Sequence, residues 1–95
     1  EVLDLRTLSP LDKDAIIATA KKTKRVVVVH EAVEFGGFGG EVVSTIADSD
    51  AFYYLDAPIK RVGALYCPIP FNPNLEKNVF PTPERIEAAV RETLA

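Results

Sequence analysis

The rhythm of apolar and polar positions changes several times along this chain, and each change marks an element. Residues 1–6, EVLDLR, interleave Val2, Leu3 and Leu5 with charges, which predicts a strand. Ser9-Pro10 and Asp12 then supply helix start signals, with Asp12 as N-cap. Ile16, Ile17 and Ala20 recur at helical spacing and line one face. Lys21, Lys22 and Lys24 crowd the end of that helix, where cations suit the dipole. Residues 25–30, RVVVVH, are β-branched and almost continuous, the pattern of a central parallel strand covered on both faces.

A glycine-rich turn follows, with Gly36, Gly37, Gly39 and Gly40 placed around Phe38. Residues 41–50, EVVSTIADSD, fit either a helix or a strand. The preceding strand and turn favour a helix in a βαβ unit, with Val42, Val43, Ile46 and Ala47 as its stripe. Residues 59–64, IKRVGA, predict another short strand. Residues 67–83 hold five of the seven prolines and cannot continue a helix or sit mid-sheet. They still carry Ile69, Phe71, Leu75, Val79 and Phe80, which predicts an extended arm packed on its own domain or on a partner. Thr82 and Pro83 then cap and start a final helix whose predicted buried stripe is Ile86, Ala89, Val90 and Leu94.

Ninety-five residues, 47% of them apolar, make one small domain with a real core. The formal net charge is −3, with 11 basic and 14 acidic residues spread along the chain. That lacks the basic stripe of a nucleic-acid binder. The apolar runs are far shorter than the roughly 20 residues of a membrane span. No secretory leader pattern is visible, and the chain has no methionine, as expected of a piece of something longer. Cys67 is the only cysteine, so no internal disulfide can form; a single thiol fits a reducing compartment.

Four features carry candidate chemistry. The turn at Gly36–Gly40 lies where α/β proteins place phosphates, but its spacing is neither G-x-G-x-x-G nor G-x-x-x-x-G-K-[ST]. Glu41 would repel a phosphate there. The expectation is structural: glycines that bring a helix close to the sheet, with Phe38 as a packing or interface anchor. The alternative is a small autonomous domain that binds a phosphate-bearing ligand at this turn. His30, at the carboxyl end of its strand, has neither a nucleophile nor a second ligand at a recognisable spacing, and Glu31 points to the opposite face. Cys67 has no CxxC partner and is expected to be inert. Asp48, Asp50 and Asp56 bracket Phe52-Tyr53-Tyr54, forming either a solvated acidic edge or a docking surface for a basic partner.

Longer blocks carry more information. EVLDLRTLSPLD, KKTKRVVVVHEA, GGFGGEVVSTIA, YLDAPIKRVGA, CPIPFNPNLE and FPTPERIEAAVRETL occur in this order over nearly the whole chain. Together they resemble the C-terminal domain of the β subunit of the thiamine-diphosphate-dependent first component of 2-oxo acid dehydrogenase complexes, of the pyruvate, branched-chain and acetoin types. The resemblance implies a three-layer α/β/α fold around a mostly parallel sheet, the transketolase C-terminal type. It implies an oxidoreductase parent that decarboxylates a 2-oxo acid, pyruvate foremost, and acylates a lipoyl group.

It further implies that the catalytic histidine and the contacts to thiamine diphosphate and Mg lie in other parts of the assembly. No catalytic, cofactor or metal residue is therefore carried onto this chain, which alone is expected to be inactive. The implied partners are the rest of the β subunit, the α subunit, a second β subunit and the subunit-binding domain of the acyltransferase. Phe38, Asp56, Phe71, Leu94 and Ala95 are the candidate interface residues. The implied compartment is the bacterial cytoplasm, or the mitochondrial matrix in a eukaryote.

One departure stands out. The family domain begins earlier, with strands and a helix absent here, one of those strands lying between EVLDLR and RVVVV. The two flanking strands could pair directly, another chain could fill the gap, or the sequence is a fragment. The fragment reading is favoured, with self-association through the exposed edges as its consequence.

Overall fold

The computed structural model describes residues 1–6, 9–64 and 81–95, the side chain of Val33 excepted. The order of elements is α1 (Lys13–Thr23), β1 (Val27–Val33), α2 (Gly39–Ala47), a 3-10 turn (Asp50–Tyr54), β2 (Lys60–Ala64) and α3 (Pro83–Leu94). The start of α1 follows from Asp12, whose carboxylate accepts the Ala15 N–H. Lys24 closes it in a left-handed conformation, φ 64°, with its N–H on the Ala20 carbonyl. Thr82 caps α3 by accepting the Arg85 N–H, with Pro83 in the first turn.

β1 and β2 run parallel, with Val27 opposite Lys60 and Val29 opposite Val62. The register shifts between Val29 and Val33. α1 and α2 cover one face of this pair. Their buried Ile16, Ala20, Val42 and Ile46 close around Ala51, and Val28, Phe38, Leu55 and Ile59 pack on the cluster. α3 lies on both strands outside that cluster, burying Ala89 and Thr93. Helices on both faces of a parallel sheet make the three-layer α/β/α arrangement. No helix among the described residues is long and apolar enough to cross a membrane.

Several expectations are corrected. Residues 1–6 form no strand. Arg6 takes φ 61°, and Val2 is 97% exposed. A strand persists only where a neighbour takes its hydrogen bonds. This segment instead ties to α1, with Glu1 accepting from Thr19 and pairing with Lys22 at 2.7 Å.

β1 starts two residues later than the valine-run reading and is an edge strand among the described residues, not a central one. Val29 is accordingly 44% exposed. The stripe of α2 is Val42 and Ile46, while Ala47 faces solvent. The buried side of α3 runs through Ala89 and Thr93, leaving Val90 and Leu94 exposed. Thr93 tolerates burial because its hydroxyl donates to the Val90 carbonyl at 2.6 Å. Phe71, Cys67 and most of the proline-rich arm at 67–83 lie outside the described residues.

Candidate docking site at the amino edge of the sheet

In a parallel α/β layer the strands start, and the following helices end, at the same edge. Here that edge collects the ends of α1, α2 and α3, the 3-10 turn, and the residues leading into both strands. Arg25, just before β1, organises it. Its Nε donates to the Thr93 carbonyl at 2.8 Å, one of the unpaired carbonyls at the end of α3. Its other guanidinium arm pairs with Asp56 at 3.6 Å. Asp56 is fixed from the backbone as well, its N–H donating to the Lys24 carbonyl at 2.8 Å.

One guanidinium thereby brings Asp56 beside the end of α3, where Leu94 is 64% exposed and Ala95 follows in solvent. Of the sequence candidates, Asp56 is thus linked through Arg25 to Thr93, the residue before Leu94 and Ala95. Val90 adds a further exposed apolar side chain from the same helix. Phe38 is not part of this surface. It sits at the start of α2, half-buried against the core, at the opposite edge. The exposed aromatic of that turn is Phe35.

The 3-10 turn extends the amino edge. Ser49 caps it by accepting the Ala51 N–H, and Ala51 anchors it in the core. Phe52, Tyr53 and Tyr54 stay in solvent, with Phe52 and Tyr53 edge to face at 5.6 Å. Lys21 lies 5.3 Å from the Tyr54 ring centre and grips Asp50 at 2.8 Å. That ammonium holds the Asp50 carboxyl below the ordinary carboxylate range, chiefly by hydrogen bonding.

The sign follows from the depressed value. The pair stabilises the fold at pH values above the ordinary aspartate range, and this contribution is lost as pH falls through the lowered value. Asp50→Asn should therefore flatten the fall in melting temperature below about pH 4 and leave its high-salt value unchanged. An identical acid limb in both proteins would refute the pairing.

The carboxyl edge holds His30 and the glycine turn. The imidazole lies in the space that side chains at Gly39 and Gly63 would need: a Cβ at Gly39 would stand 2.3 Å from Nε2, and one at Gly63 2.8 Å from Cε1. Both ring nitrogens are buried without a hydrogen-bond partner. The room left by the bare backbone at Gly39 is therefore filled by this chain's own ring. Glu34 accepts the Gly63 N–H at 3.1 Å, and Arg61 donates to the Glu34 carbonyl at 2.7 Å. Arg85 donates to the Gly63 carbonyl at 2.9 Å, tying α3 to the end of β2. No group of three or more His, Cys, Asp or Glu among the described residues is arranged to hold a metal ion.

Residues 1–86 match the transketolase C-terminal domain family. The chain belongs to that family. Among relatives, it is 44% identical over 94 residues to the acetoin:2,6-dichlorophenolindophenol oxidoreductase subunit beta of Bacillus subtilis, covering 99% of this chain and 27% of that protein. It is 43% identical over 95 residues to the mitochondrial pyruvate dehydrogenase E1 component subunit beta of Saccharomyces cerevisiae, covering 100% of this chain and 26% of the relative. The Bacillus subtilis 2-oxoisovalerate dehydrogenase subunit beta is 44% identical over 92 residues, with 96% and 28% covered.

The chain thus spans about a quarter of the length of these β subunits. The relatives include bacterial and mitochondrial proteins, as the resemblance led one to expect. Sequence reasoning missed Arg25 as an organiser, because nothing in the local pattern links it to a carbonyl 68 positions away.

Proposed function

We propose that this transketolase C-terminal domain is a non-catalytic assembly and docking unit of a 2-oxo acid dehydrogenase β subunit. The parent enzyme would decarboxylate a 2-oxo acid, pyruvate foremost, and acylate a lipoyl group. Thiamine diphosphate and Mg would be held by other parts of that assembly, with the rest of the β subunit, an α subunit and a second β subunit as neighbours. The family membership and the β-subunit relatives support the parent's class. The observation that carries the docking role is the bridge through Arg25. It ties Asp56 to the end of α3, the helix that carries exposed Leu94, giving one carboxylate and one apolar contact at the same edge. Such a surface suits a small basic domain with an apolar centre, the chemistry expected of an acyltransferase subunit-binding domain.

Calorimetric titration of the 95-residue chain with that domain tests the role. Saturable binding should weaken at least about tenfold on Asp56→Lys and on Leu94→Asp, and should fall with salt. A flat titration, or binding indifferent to both substitutions, would overturn the proposal.

A further inference from the structure

The 3-10 turn carries three consecutive aromatic side chains, and their rings are not equivalent. Ala51, fully buried, and the Ser49 cap fix the backbone of the turn against the core. Tyr54 already holds a cation, the Lys21 ammonium 5.3 Å from its ring centre. Phe52 meets Tyr53 edge to face, with the ring planes at 77°. That contact covers at most one face of the Tyr53 ring, and Tyr53 is 85% exposed. A free aromatic face therefore looks into solvent from an anchored turn. Its surroundings are electronegative. Two residues separate the turn from α2, a helix with no basic residue in its last turn to offset its carbonyl end. Asp48 is exposed at that end, while Asp50 is taken by Lys21.

We propose that Tyr53 is the stacking platform for an arginine of the docking partner. The inference rests on the docking role proposed above and names the contact that selects the partner. An aromatic face near a negative helix end favours a cation over an apolar group. Arginine suits it better than lysine, because a guanidinium is planar, more weakly hydrated and stacks on rings. The contact of Lys21 with Tyr54 shows that the rings of this turn take cations, and Tyr53 is the ring left open to one from outside. Asp56 at the same edge attracts positive charge in general, whereas the Tyr53 face discriminates between one cation and another.

Calorimetric titration of the 95-residue chain with the acyltransferase subunit-binding domain reads the contact. Tyr53→Leu should weaken binding about five- to tenfold, and Tyr53→Phe should stay within about twofold of the parent. The side chain is exposed, so both variants should keep the parent's circular dichroism. Changing the arginines of the domain to lysine one at a time should identify one whose replacement removes the difference between the parent and Tyr53→Leu. Equal binding by the parent and Tyr53→Leu overturns the proposal; if Asp56→Lys still weakens binding there, the docking role stands without it. A loss in Tyr53→Leu that no arginine replacement cancels makes the ring a plain apolar contact, and overturns it as well. A flat titration of the parent removes both the docking role and this inference.

Discussion

Gly63→Ala should destabilise the domain by about 3 kcal/mol or more, and deleting the His30 ring should not restore it. The added Cβ would lie 2.7 Å from the Ala32 carbonyl oxygen, 2.8 Å from His30 Cε1 and 3.0 Å from Glu34 Cγ. These obstacles differ in kind. The Glu34 side chain can swing away, at the expense of its bond from the Gly63 N–H. The imidazole can be removed by mutation. The Ala32 carbonyl is strand backbone, one residue before the Val33–Ala64 pairing, and can move only if β1 moves with it.

Alanine's smaller loss of backbone entropy offsets about 0.5–1 kcal/mol of this, which is too little. For a domain of this size, the loss corresponds to a fall of at least about 12 °C in melting temperature. The check is thermal and urea unfolding of Gly63→Ala alone and with His30→Ala. A melting point within about 2 °C of the parent, or full recovery in the double variant, would show that the strand backbone is not the limiting contact.

How legible such features were in the sequence depends on the range of the forces that make them. The caps at Asp12 and Thr82 and the two parallel strands, expected at 25–30 and 59–64 and found at 27–33 and 60–64, rest on local chemistry and composition, and the pattern revealed their existence if not their bounds. The blocks that pointed to the 2-oxo acid dehydrogenase β subunit agree with the family match and the relatives. The strand expected at residues 1–6 failed because an alternating pattern states only that a segment could pair, not that a neighbour exists.

The face of α3 was misjudged for a different reason. Apolar character at Val90 and Leu94 outweighed a threonine whose hydroxyl satisfies itself on its own helix. The docking surface was half legible. Asp56 and Leu94 could be named singly as candidates for the proposed surface, but the bridge from Asp56 through Arg25 to Thr93 could not, and separations of that kind leave no periodic trace. His30 was legible as a position at a strand end and not as a wedge. Its partners, Gly39 and Gly63, are residues whose role is the absence of a side chain.

That wedge leads to the complementary expectation at Gly39. Gly39→Ala alone should be destabilising by about 1–3 kcal/mol, and neutral or stabilising once His30 is alanine. The new Cβ would meet only the ring at forbidden distances, Nε2 at 2.3 Å and Cδ2 at 2.5 Å. The next atom, Val28 Cγ1, is at an ordinary 3.5 Å. No backbone stands in the way, unlike the situation at Gly63. Gly39 opens α2 without a positive φ, so alanine is conformationally at ease there and improves helix propensity.

His30→Ala itself should be milder than its size implies. It leaves a void, but it also removes two buried nitrogens with no partner. A double-mutant cycle on urea midpoints should therefore give a coupling energy of about 2 kcal/mol between positions 30 and 39, and about zero rescue between 30 and 63. Additivity within about 0.5 kcal/mol at 30 and 39 would mean that the ring leaves its place easily. The glycine at the head of α2 would then need a reason other than the histidine beneath it.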